Sequence, residues 1–162
     1  IGALARAYFF MTSKLPDEEK ARRSKLFGSM NDGVSPLDPY QIQPGLLEIP
    51  VTTMPLFRTP VHLSYLLFLG QFSMPLARAY WALAMFLCRK TGVGPSLLLH
   101  PTDFLDETDV PEMSFFPAMK IPSQKKIDLV RHTLSSLRQH WLPGTMMDHA
   151  AKSGMDIGNT IL

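Results

Sequence analysis

The chain has 162 residues, 46% of them hydrophobic and 19% charged, with a net charge of +2. That length allows one domain with a real core, and that composition excludes a disordered polymer. The small net charge leaves no electrostatic case for nucleic acid, and the single cysteine excludes an internal disulfide framework.

Residues 1–10 (IGALARAYFF) have no basic region ahead of a small-residue cleavage site, so they do not read as a signal peptide. A cytoplasmic or membrane-peripheral location is favoured on that basis. The chain reads as part of a longer protein, with further motifs expected upstream of Ile1. Residues 2–12 are apolar and predict a buried helix or strand. Residues 16–27 predict a short surface helix. Pro16 suits the first position, Asp17, Glu18 and Glu19 favour the positive end of the dipole, and Gly28 stops it. Residues 29–45 carry successive turn signals, Asn31-Asp32-Gly33, Pro36, Pro39 and Pro44-Gly45, and predict a loop.

Residues 46–53 alternate, with Leu47, Ile49 and Val51 on one side, and predict a strand. Pro50 removes a ladder donor, so an edge or a break is expected there. Residues 60–91 predict two helices, opened by Pro60 and Pro75 and ending near Gly70 and Gly92. In the second, Leu76, Tyr80, Leu83 and Leu87 form one stripe, and Cys88 lies in an apolar run as a buried, inert thiol. Residues 59–77 carry no formal charge, yet His62, Gly70, Gln71 and two prolines make a poor membrane span. Core packing is favoured for this region, with a membrane-surface helix second.

Ser96-Leu97-Leu98-Leu99 predicts a strand buried on both faces, as in a parallel sheet. Residues 102–122 predict a loop, acidic first and then aromatic. Residues 123–140 predict the clearest helix, capped by Ser123, with Ile127, Val130, Leu134, Leu137 and Trp141 on one stripe. Thr145-Met146-Met147 predicts a short strand, and 151–162 a tail. Strands alternating with helices point to an α/β fold of parallel strands with flanking helices.

No His-x-x-x-His, Cys-x-x-Cys, phosphate loop or Gly-x-Ser-x-Gly elbow is present. His132 and His140 read as solvent-facing, His62 as a capping or interfacial residue with a catalytic role the lesser reading, and His149 as part of a helix start. His100 differs, because it directly follows an apolar strand and precedes a long loop. In βα folds the C-terminal ends of strands are where side chains converge on a substrate. An imidazole there can deliver or accept a proton near neutral pH, and context alone leaves a purely structural role open beside it. Asp103 and Asp106 follow in the same loop and either orient that imidazole or form a solvated acidic surface.

Leu46-Leu-Glu-Ile-Pro-Val-Thr-Thr53, the two apolar helices and Leu97-Leu-Leu-His-Pro-Thr-Asp-Phe-Leu105 together resemble the polysaccharide deacetylase family of the NodB-homology type. Asp109-Val-Pro-Glu-Met-Ser-Phe-Phe-Pro-Ala-Met119 and Met146-Met-Asp-His-Ala150 extend the resemblance over most of residues 1–150. It implies a distorted (β/α) barrel, of which 1–150 would be the C-terminal part. It also implies metal-dependent hydrolysis of an N-acetyl or similar N-acyl group on a sugar, the divalent metal usually being zinc. Leu98-Leu99-His100 matches the family's Leu-x-His motif, so the resemblance assigns His100 the role of protonating the leaving amine. Pro101 stands where the family often has Asp. Arg58-Thr59-Pro60 echoes an Arg-x-Pro motif. The family's Asp-Asp pair and His-x-x-x-His metal motif are absent from the chain and expected upstream of Ile1, so the chain alone is expected to be inactive and to hold no metal. The implied partner is a carbohydrate, with a lipid-linked sugar left open. The alternative is a non-enzymatic membrane-surface or partner-binding module, built on the apolar 60–91 region with Arg58, Arg78, Arg89 and Lys90 near its ends.

Overall fold

Two proline-punctuated corners and three packed helices organise the computed structural model, which describes residues 36–153. The predictions for residues 1–35, including the 16–27 helix, and for the tail beyond 153 lie outside the described residues. The first corner is a hairpin. β1 (Tyr40–Gln43) pairs antiparallel with β2 (Leu46–Glu48), with an irregularity between Gln41 and Gln43. Pro44-Gly45 makes the turn, and Gly45 sits at φ 78°, a left-handed value that an L side chain adopts only at a cost. The loop expected over 29–45 therefore contains a strand, because two polar glutamines hide the alternation.

β2 stops at Glu48, two residues before Pro50, so the expected break is present. Beyond it the facing changes: Val51 is exposed and Thr52 buried, the reverse of a continuous alternation. A second corner follows. Met54 N donates to Thr59 O at 2.7 Å, Arg58 N to Met54 O at 2.8 Å, and Thr53 bridges Pro60. The predicted 46–53 strand is thus divided between two corners.

α1 (Leu63–Gly70) begins at His62, whose ring nitrogen Nδ1 accepts from Tyr65 N at 3.3 Å. The capping role expected of His62 is present. α2 (Met74–Thr91) begins at Ser73, whose hydroxyl accepts from Leu76 N, with Pro75 in the first turn. It closes on Gly92 at φ 78° with Arg89 and Lys90 in its last turn, as the helix dipole favours. Its buried face is Ala77, Trp81, Ala84, Met85 and Cys88. Leu76 and Leu83, expected in the core stripe, are exposed, and Ala77 and Ala84 are buried in their place.

α3 (Ser123–Arg138) buries Lys126, Leu129, Val130 and Thr133. Leu134 is exposed, so the core-facing stripe is rotated from the one expected. Trp81 Nε1 donates to Ser136 Oγ and joins α2 to α3. α4 (Met146–Lys152) replaces the short strand expected at 145–147. Thr145 Oγ1 accepts from Asp148 N, and Asp148 Oδ2 accepts from Thr145 N, so a local capping box decides for helix.

One core joins these pieces. Leu63, Leu66 and Leu67 of α1 meet Trp81 and Cys88 of α2 and Leu129 of α3, with Met54, Val61 and Ile121 from the corners and loops. A buried leucine of this kind contributes about 1.5–3 kcal/mol. Burial also pushes the Cys88 thiol up to about 11. Residues 96–99 are extended beside this core but form no ladder. Thr52 N donates to Ser96 O at 3.3 Å and Leu63 N to Leu98 O at 3.5 Å. Leu98 and Leu99 are exposed, so the expected burial on both faces is corrected: only Leu97 packs on the core. The described fold is mixed, helical with a two-stranded antiparallel sheet. No helix among the described residues is long and apolar enough to cross a membrane.

Candidate functional site

His100 ends the extended 96–99 segment, and a short 3-10 turn, Pro101–Asp103, follows it directly. The turn folds Asp103 back beneath His100. Asp103 Oδ2 accepts from His100 N at 2.8 Å, and Asp103 is 1% exposed. The imidazole itself remains 47% exposed, so a reachable ring stands on an unreachable carboxylate.

Ser64, in the first turn of α1, connects the two. Its Oγ lies 2.7 Å from Asp103 Oδ1 and 3.1 Å from His100 Nδ1. A hydroxyl has one proton, and an ionised carboxylate can only accept. The Ser64 proton therefore goes to Asp103, and His100 Nδ1–H donates to Ser64 Oγ. In this tautomer His100 Nε2 is free of its own proton when the ring is neutral, and carries the transferable proton when the ring is charged. Asp103 Oδ2 also lies 3.7 Å from Nδ1. Ser64 and Asp103 both address Nδ1, so this is not the serine nucleophile arrangement, in which the serine addresses one ring nitrogen and the carboxylate the other.

The loop bearing His100 is held from below. Lys126 of α3 is fully buried and its ammonium donates to Thr102 O at 3.0 Å and to Leu105 O. Burial pushes its pKa down, against the pull of Asp103, Asp106 and Asp109. Asp106 takes neither of the tasks considered for it, and it is buried, not part of a solvated surface. It does not orient the imidazole: its carboxylate accepts from Thr108 Oγ1, Thr108 N and Ser123 N, at 2.6, 2.8 and 2.6 Å. Those bonds, the Thr108 hydroxyl first, hold its carboxyl far below the usual carboxylate range. Asp106 is therefore the cap of α3, correcting the expectation for Ser123, which is the first helical residue. The sequence signal was available only in space, since cap and helix are 17 residues apart.

A cleft of about 380 Å³ opens over this junction, walled by His62, Ser64, Tyr65, Phe68, His100 and Asp103. Phe116 of the aromatic loop closes one side. His62, expected as a capping or interfacial residue, also faces the same cleft. The other histidines lie elsewhere: His132 is exposed on α3, His140 contacts Arg89 at 3.1 Å, and His149 lies in α4. Cys88 is buried on α2. Thr59 and Pro60 of the Arg58-Thr59-Pro60 echo bind the Tyr80 hydroxyl, at 2.7 and 2.8 Å, and so hold α2 to the corner.

Among the described residues no three His, Cys, Asp or Glu side chains are placed to share a metal ion. His100 Nδ1 and both Asp103 oxygens are engaged within the protein. These residues do not fit a metal cage by themselves. No family model, curated protein or solved structure matches the chain.

Proposed function

We propose that the chain is the C-terminal portion of a carbohydrate N-deacetylase, with His100 as the residue that protonates the departing amine. In this reading, residues 46–53 and 96–99 belong to a distorted (β/α) barrel, and the implied divalent metal, zinc by resemblance, is held by residues other than those described. The observation that carries the reading is the chain Asp103–Ser64–His100. It fixes the ring, commits Nδ1, and leaves Nε2 to serve the cleft. Hydrolysis adds water across the amide. The acyl carbon gains oxygen, the C–N bond breaks with its electron pair on nitrogen, and the Nε2 proton moves to that nitrogen. Carboxylate and amine leave. A general acid of this kind contributes about 10²–10⁴-fold.

The test uses the full-length protein carrying this chain, with N-acetylglucosamine oligomers as substrate. His100→Ala is expected to lower kcat by about 10²–10⁴-fold with bound metal unchanged. Turnover at the wild-type rate would remove the role, and loss of metal would reassign His100 as a ligand.

A second reading rests on exposed aromatic side chains. Phe57, Phe68, Phe72, Phe115 and Phe116 are all exposed, and Phe68 and Phe116 also line the cleft. Large exposed apolar groups of this kind suit a membrane surface, and a lipid-linked sugar would combine both readings. Co-sedimentation with anionic vesicles tests it; a supernatant holding all the protein removes it.

A further inference from the structure

His62 and His100 face one cleft with opposite chemistry. Nδ1 of His62 accepts from Tyr65 N, so the proton of its neutral ring must be on Nε2. Nδ1 of His100 donates to Ser64, so the Nε2 of its neutral ring is bare. One ring offers the cleft a donor and the other an acceptor or acid. Among the described residues, no hydrogen bond uses the Nε2 of His62, and that atom is not shut away from solvent.

We propose that His62 is a second functional imidazole, whose neutral Nε2–H donates to the acyl oxygen of the substrate amide while His100 serves its nitrogen. The inference rests on the deacetylase reading and adds a substrate-contacting residue to it. A secondary amide presents both halves, an acceptor oxygen and a nitrogen that receives a proton. Neutrality of His62 has a geometric cause, since a proton on Nδ1 would face the Tyr65 N–H and cost α1 its cap. Burial lowers its pKa, Asp103 opposes that, and His100 adds to it. Those two groups are the charged partners facing it. A neutral donor loses no charge on desolvation and strengthens as negative charge develops on the acyl oxygen.

A cap alone and a donor can be separated. Ser, Asp and Asn cap helices at least as well as His, but Ser and Asp have no N–H to offer. In the full-length protein, His62→Ser and His62→Asp are therefore expected to keep the urea midpoint and to lower kcat/KM on N-acetylglucosamine oligomers by about 10²-fold. Wild-type kcat/KM in both would overturn the inference while leaving the deacetylase reading intact. The tautomer is read without substrate, by long-range ¹⁵N–¹H correlation at neutral pH. A neutral Nε2–H ring is expected for His62. A proton on Nδ1, or a doubly protonated ring, overturns the inference whatever the protein's activity. If His100→Ala and the His62 variants all leave turnover unchanged, the deacetylase reading and the inference fall together.

Discussion

The junction beneath His100 and the hairpin at Tyr40–Glu48 are held by different physics. At the junction three ionisable side chains, Asp103, Asp106 and Lys126, are buried; Asp103 binds the backbone of its own turn, while Asp106 and Lys126 bind backbone groups of distant segments. The hairpin is mostly exposed on both strands and is held by its own ladder and a glycine turn. Buried polar groups fix geometry because every alternative arrangement leaves them unpaired. A local ladder tolerates change because water can replace each bond it loses. A side chain that must hold one orientation needs the first kind of support, and in this chain that is where the cleft lies.

The largest effect expected from breaking this contrast is the His100→Ala loss in kcat, because it removes the group that the junction positions. Lys126→Met comes next. It strands the carbonyls of Thr102 and Leu105 in a buried place and should cost about 3 kcal/mol, read as a lower urea midpoint. An unchanged midpoint would mean that water reaches those carbonyls. Asp106→Ala should destabilise through the lost α3 cap, and its signature is in the pH dependence. The unfolded carboxyl titrates near 3.8 and the folded one lower. Its contribution is therefore complete above that value and is lost as pH falls through the folded pKa. The variant should show a flatter acid limb of stability below about pH 4. Gly45→Ala is the smallest. The added methyl meets nothing within 4 Å, so only the left-handed backbone is strained, at about 1 kcal/mol. Global melting should shift little, while amide exchange in the hairpin quickens. A shift in Tm as large as that of Lys126→Met would erase the contrast.

The same contrast explains what could be read from the sequence. The helices over 63–70, 74–91 and 123–138 were legible, because capping residues, prolines and apolar spacing are local. Which face of α2 enters the core was not, since Leu76 and Leu83 look more apolar than Ala77 and Ala84. The burial of Ala77 and Ala84 is set by tertiary packing, which hydropathy along the chain does not encode. His100 was marked by its position after an apolar segment. Its partner Ser64 lies 36 residues away in a helix that gave no sign of chemistry, and the Asp106 cap was equally remote. His62 was read as a capping or interfacial residue, and it caps α1. Its place in the cleft depends on the fold bringing 62 beside 100. Long-range polar partners leave no periodicity, so they were invisible along the chain.

Cys88 gives the protein an internal clock. Its thiol is sealed in the α1–α2–α3 core, and burial lifts its pKa to about 11, so near pH 8 the native state presents almost no thiolate. A disulfide reagent in excess then reacts only when the core opens. With one cysteine in the sequence, each modified molecule records one opening event, and the labelling rate reports the opening equilibrium without any engineered residue.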